Sequence, residues 1–131
     1  MGQHSAVWQG YVDSSLMGSG QFDKAAIVSY DFSDVEASTP GYTFSPSELS
    51  GLKGAYDNPA GAFGTGVTLA GDKFVVIRSD GTSVYGKKGK EGVIIVKTPS
   101  AILVAHHGES VQTPNAATVV ENLGDYIRGG K

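Results

Sequence analysis

The sequence predicts an α+β fold: a central antiparallel β-sheet, built as a meander, with the N- and C-terminal helices packed side by side on one face and short helices on the other. Three observations predict it. Apolar residues recur at helical spacing near both ends, at Val7, Trp8, Tyr11, Val12 and Leu16 and again at Ala116, Val119, Val120, Leu123, Tyr126 and Ile127. From Val67 onward the period becomes that of strands, and turn signals arrive at short intervals. Between these regions Ser45-Pro46-Ser47-Glu48 forms a capping box with proline at the first helical position.

In chain order, the first helix is expected over Ser5 to Leu16, stopped by Gly18. Ala25 to Tyr30 reads as a buried strand and Tyr42 to Phe44 as a second, short one. The helix opened by the capping box presents Leu49, Leu52 and Tyr56 on one face, and Asn58-Pro59-Ala60-Gly61 ends it. Strands follow at Val67 to Ala70, Lys73 to Ser79, Ser83 to Gly86, Val93 to Thr98 and Ala101 to His106. They are separated by Gly71-Asp72, Asp80-Gly81, Gly89 to Gly92 and Pro99-Ser100. Thr113 is expected to cap, and Pro114 to open, a last helix that runs to Gly129. No linker, repeat or low-complexity run is visible, so residues 1–131 are expected to form one domain.

Composition narrows the function. With no cysteine the chain lacks thiolate ligands and cysteine nucleophiles, and it fits a reducing compartment. No window approaches the roughly 20 apolar residues of a membrane span, and a cytoplasmic protein is expected. A net charge of -3 argues against general affinity for nucleic acid. Yet Lys73, Arg78, Lys87, Lys88, Lys90 and Lys97 fall in one 25-residue stretch, which predicts a local basic face suited to an acidic partner.

Catalytic motifs find little support. Gly81 to Lys88 matches a phosphate-binding loop except at its last position, where the magnesium-holding hydroxyl is missing, and Thr82 to Tyr85 reads as strand rather than as the entry to a helix. His106 and His107 are adjacent on a strand and so face opposite sides, which rules out joint chelation. The carboxylates are scattered without a catalytic pairing. Neither catalytic residues nor a metal or cofactor site is expected. Trp8, Tyr11 and Tyr126 instead suggest a flat aromatic platform between two terminal helices, of the kind that holds polyproline II segments.

Several segments together resemble the profilin family, its fungal and amoeboid members most. They are Trp8-Gln9-Gly10-Tyr11-Val12-Asp13, Ala25-Ala26-Ile27-Val28, Gly71 to Arg78, Tyr85-Gly86-Lys87-Lys88-Gly89, and Val119 to Tyr126. The resemblance implies a monomeric, cytoplasmic and cytoskeletal protein that binds monomeric actin, proline-rich proteins such as formins, and phosphoinositide headgroups. It places actin binding at Lys73, Val76, Arg78, Lys87, Lys88, Lys97, Asn115 and Thr118, polyproline binding at Trp8, Tyr11 and Tyr126, and phosphoinositide binding at Arg78, Lys87, Lys88 and Lys90. It further implies delivery of actin to assembly factors and faster nucleotide exchange on actin. Three departures bear on the proline site. Glu36 stands where the family usually has a second tryptophan, the chain ends in Lys131 rather than tyrosine, and Met1 to Ser5 extends the usual start. Tyr30 is a candidate to replace the missing ring, and weakened proline binding is expected.

Overall fold

A computed structural model describes residues 6–130. The Met1 to Ser5 extension, the expected helix start at Ser5, His4 and Lys131 lie outside the described residues. The N-terminal helix begins as α1 (Ala6–Gly10), widens into a π-helical turn (Tyr11–Leu16) and tightens into a 3₁₀ turn (Met17–Ser19) that ends at left-handed Gly20. Then come β1 (Lys24–Ser29), β2 (Val35–Ser38), α2 (Pro46–Asp57), α3 (Pro59–Thr65), β3 (Val67–Leu69), β4 (Asp72–Ser79), β5 (Ser83–Lys88), β6 (Glu91–Lys97), β7 (Ala101–His107), α4 (Thr113–Asp125) and a closing π-helical turn (Tyr126–Gly130). The strands form one antiparallel sheet in the order β2-β1-β7-β6-β5-β4-β3.

The central strands are buried on both faces, and this is why their sequences are continuously apolar. Along β6, Val93 and Ile95 point to one side with Val104 and Ile102 of β7, where they meet Leu49, Leu52 and Tyr56 of α2. Ile94 and Val96 point to the other side with Leu103 and Ala105, where they meet Val12 and Leu16 below the N-terminal helix and Ala116, Val120 and Leu123 of α4. The terminal helices therefore share one face and the short helices the other.

Two expectations about elements fail. No strand forms at Tyr42 to Phe44. Both rings are buried and stack edge-on at 4.9 Å, but in an unpaired loop. The strand that does pair there is β2, bulged against β1 between Ile27 and Val28. Asn58-Pro59 ends α2 but also starts α3, because the Asn58 side chain accepts a hydrogen bond from Gly61 N and Pro59 occupies the first turn. Ser45 caps α2 as expected, with Glu48 Oε1 accepting from Ser45 N at 2.9 Å.

The β3–β4 hairpin closes with a two-residue loop, Ala70-Gly71, in which both residues have positive φ, 52° and 87°. That conformation suits glycine or asparagine and strains alanine. Ala70→Asn is expected to raise unfolding stability by about 1 kcal/mol in chemical denaturation; an unchanged midpoint would show that the turn carries no such strain.

Candidate functional site

The terminal helices bring the predicted aromatic strip together. Tyr11 lies 5.6 Å from Trp8 and 6.4 Å from Tyr126, centroid to centroid, tilted against the first ring and edge-on to the second. Val12 and Leu16 of the same helix are fully buried beneath them, so packing turns Trp8 and Tyr11 outward only as far as half-burial, whereas Tyr126 is 57% exposed. These rings, with Val7, Ser100 and Ile127, line a shallow groove of about 490 Å³. The C-terminal turn is pinned there by Arg128, which donates to Asp125 Oδ1 at 2.8 Å and to Lys97 O at 3.0 Å. Tyr30 does not line the groove; its ring lies 5.2 Å from the Lys97 ammonium instead. Glu36 on β2 does not line it either.

A second, larger groove of about 880 Å³ opens between β4, β5 and the start of α4, and Ile77, Arg78, Tyr85, Lys87, Lys90 and Thr113 help line it. Arg78 donates to Asp80 Oδ2 through Nε at 3.1 Å and Nη2 at 2.8 Å, and its guanidinium stacks 5.1 Å from the Tyr85 ring. The Asp80 carboxylate holds the guanidinium even more firmly protonated than usual. Tyr85 and Ser83 both donate to Glu121 Oε2, which ties β5 to α4. Burial first, and then the neighbouring Glu121, push the Tyr85 phenol well above its ordinary range. Asn115 and Thr118 are exposed on the same helix, and the Thr118 hydroxyl donates to Pro114 O.

The basic stretch does not form one face. Lys87 and Lys88 are strand neighbours and project to opposite sides. Lys88 reaches Asp72 at 2.7 Å and holds that carboxyl below its usual range. Lys97 sits on the α2 side, its ammonium 5.2 to 5.8 Å from the rings of Tyr30, Phe32 and Tyr56. Lys73 lines a separate hollow with Ser45, Glu48 and Thr68. Val76 must be corrected: it is 3% exposed, packed in the core with Phe74, because alternation on β4 turns it inward. Val75 and Ile77, 62% and 50% exposed, take its place on the outer surface, and a bulge between Val76 and Arg78 leaves Ile77 and Arg78 both exposed. These two apolar residues were missed; the odd–even alternation around Phe74 carried the signal.

Gly81 to Lys88 lies in the β4–β5 hairpin, where Asp80 Oδ1 accepts from Thr82 N and Ser83 N, and no helix follows. The two histidines do face opposite ways. His106 Nδ1 lies 2.6 Å from Asp23 and its Nε2 3.1 Å from Glu91, while His107 contacts Gly108 O and Thr113. No cluster suited to a metal ion occurs among the described residues. No helix among them is long and apolar enough to cross a membrane.

Fold and site together define a class: a small α+β binding module with an aromatic strip between its terminal helices and a separate groove, part apolar and part basic, beside its sheet edge. The family described as Profilin matches residues 6–131. Profilin of Schizosaccharomyces pombe is 47% identical over 93% of this chain and 96% of its own, and Profilin-2 of Acanthamoeba castellanii is 43% identical over the same shares. The crystallised Schizosaccharomyces pombe profilin superposes with a TM-score of 0.90, covering 93% of this chain and 97% of that one. Mouse profilin IIa, solved in complex with a double repeat from the FH1 domain of mDia1, is 27% identical, with a TM-score of 0.78 over 95% and 99% of the two chains. The chain belongs to the profilin family.

The phenols of Tyr42, Tyr56 and Tyr85 are all pushed up, in each case mainly by burial. A raised folded-state value means that the folded chain resists losing the proton. The associated stability is therefore intact below the unfolded value of 10.0 and declines as pH rises beyond it. Phenolate absorbance is expected to show these three rings ionising only as the protein unfolds in alkali, and Tyr85→Phe should lessen the alkaline loss of stability. Ionisation of all six tyrosines near pH 10 without unfolding would contradict the burial argument.

Proposed function

We propose that this protein binds monomeric actin at the groove formed by β4, β5 and the start of α4, and proline-rich segments such as those of formins at the Trp8–Tyr11–Tyr126 strip. Joining the two, it delivers actin to assembly factors at growing filament ends, speeds nucleotide exchange on actin, and acts in the cytoplasm and cell cortex as a monomer of one domain. The observation that carries this reading is that a profilin-family chain presents two surfaces with no lining residue in common, each with the chemistry its partner requires. Exposed Val75 and Ile77 offer apolar area, and Arg78, Lys87 and Lys90 offer charge that steers an acidic protein into register. The aromatic faces offer the flat apolar contact that a polyproline II helix takes. No bond is made or broken in this mechanism. It is steric, the bound monomer having its barbed-end surface covered.

Because Arg78, Lys87 and Lys90 share one groove, phosphoinositide headgroups are a second ligand there, competing with actin. Lys88, held by Asp72 on the other side of the sheet, drops out of that set.

Trp8 is the only tryptophan and reports from within the strip. A polyproline peptide is expected to change its fluorescence saturably, and Tyr126→Ala to abolish or strongly weaken that response. With Glu36 in place of the usual ring, the affinity should fall below that of a two-tryptophan profilin by about 0.5 to 1.5 kcal/mol per missing stacking partner; equal affinities would refute this. For the groove, Arg78→Glu is expected to weaken binding to monomeric actin at least about tenfold, a loss of about 1.4 kcal/mol, and to leave the polyproline response unchanged. A variant that binds actin as the unaltered protein does would remove the groove from the actin surface.

A further inference from the structure

Thr113 begins α4 but caps nothing: Gln112 precedes it without a side-chain cap, and the Thr113 hydroxyl turns inward. What it meets is set by three adjacent strands. Lys87 on β5 pairs with Gly92 on β6, which pairs with His107 on β7, so the three occupy one row on one face. Gly92 has no side chain in the middle of that row, and the His107 ring lies over it; a Cβ there would stand 2.5 Å from His107 Nε2. Thr113 Oγ1 bridges the two ends of the row, 3.0 Å from His107 Nε2 and 3.0 Å from Lys87 Nζ.

The hydrogen bonds run in one direction. His107 Nδ1 lies 2.9 Å from Gly108 O, which can only accept, so the tautomer of the neutral ring that fits the network carries its proton on Nδ1 and accepts at Nε2. Thr113 then donates its hydroxyl proton to Nε2 and accepts from the Lys87 ammonium through an oxygen lone pair. His107 is fully buried, which locks the ring and, through it, the hydroxyl. This sets Lys87 apart from the ion-paired cations. Lys53, Arg78, Lys88 and Arg128 each lie against an aspartate, whereas no carboxylate among the described residues pairs with Lys87. A neutral oxygen holds it, so its charge is not answered by an ion pair among the described residues.

We propose that Thr113 and His107 are positioning residues that fix the uncompensated Lys87 ammonium at the wall of the groove, where it meets an acidic side chain of the actin monomer. This rests on the actin reading above. An ammonium already held in place loses less side-chain entropy on binding than that of Lys90 at the hairpin tip, which has no ion pair among the described residues.

The test has a local arm and a binding arm. Heteronuclear NMR of the lysine ammonium groups, assigned with Lys87→Met, is expected to show a slowly exchanging Lys87 signal in the unaltered protein and in Thr113→Ser, and to lose it in the isosteric Thr113→Val. No such signal in the unaltered protein, or its persistence in Thr113→Val, overturns the positioning role whatever actin does. In actin titrations Thr113→Val is expected to weaken binding about threefold to tenfold, Thr113→Ser to restore it, and Thr113→Val to add nothing in a Lys87→Met background. Equal losses in both backgrounds, or no loss in either, overturn the proposal. If the ammonium signal behaves as expected but the unaltered protein binds no actin, the actin reading fails and the positioning of Lys87 stands.

Discussion

Burial of β1, β7 and β6 on both faces is the constraint on which the rest of the structure depends. A sheet that is apolar on one face alone can leave the other in water. Here Val93, Ile95, Ile102 and Val104 on one side and Ile94, Val96, Leu103 and Ala105 on the other all have to be covered. At about 1.5 to 3 kcal/mol for each buried aliphatic side chain, leaving either face open would cost an amount comparable to a domain's entire net stability. Helices therefore pack on both faces. α2 and α3 cover the first, and the two terminal helices, distant in sequence, are driven together on the second. The aromatic strip is a by-product of that packing: Val12, Leu16, Val120 and Leu123 are drawn to the sheet, and Trp8, Tyr11 and Tyr126 remain at the seam.

Toward β4 the helical cover ends and the logic changes. The α2-facing side of β4, Phe74 and Val76, is still buried, but on the other side Val75 and Ile77 stand in the open. Apolar residues exposed together at a strand are an invitation to pair or aggregate. The flanking residues limit this, with Arg78 and Lys87 beside the two side chains and a bulge between Val76 and Arg78 twisting the strand. A partner that covers the apolar pair while answering the charges is favoured over a second copy of the same edge, which would set like charges against each other.

How much of this was legible in the sequence depended on whether a residue's fate was local. The capping box at Ser45 and the apolar runs of β6 and β7 are settled by neighbours in the chain, and they were readable. Asn58-Pro59 is readable too, since it repeats the signature of Ser45-Pro46 and so marks a helix start as well as an end. β2 offers four residues, one acidic and one a serine, and pairs at an edge through a bulge, so neither length nor alternation marks it. Lys97 and Lys88 were grouped with Lys87 by proximity in sequence, whereas strand alternation sends them to the opposite side. Thr113 looked like a cap because threonine usually is one; its hydroxyl is recruited by His107 and Lys87, partners that only the sheet register brings beneath it.

α4 connects the two surfaces. Its first two turns supply Thr113, Pro114 and Ala117 to the groove, and the turn that continues it supplies Tyr126 to the aromatic strip. At 1.5 Å per residue the interval from Thr113 to Tyr126 is about 20 Å, spanned by a single helix packed along its length on Val96 and Leu103. Such a rod holds the two surfaces at a fixed separation. The spacing also gives Glu36 a bounded role. On β2, at the far edge of the sheet from β4, it lies away from the groove, so whatever its carboxylate changes in peptide preference need not alter how a partner seats on β4 and β5. Separation of this kind lets one surface vary in sequence while the other is held constant, as the proposed carriage between two unlike partners requires.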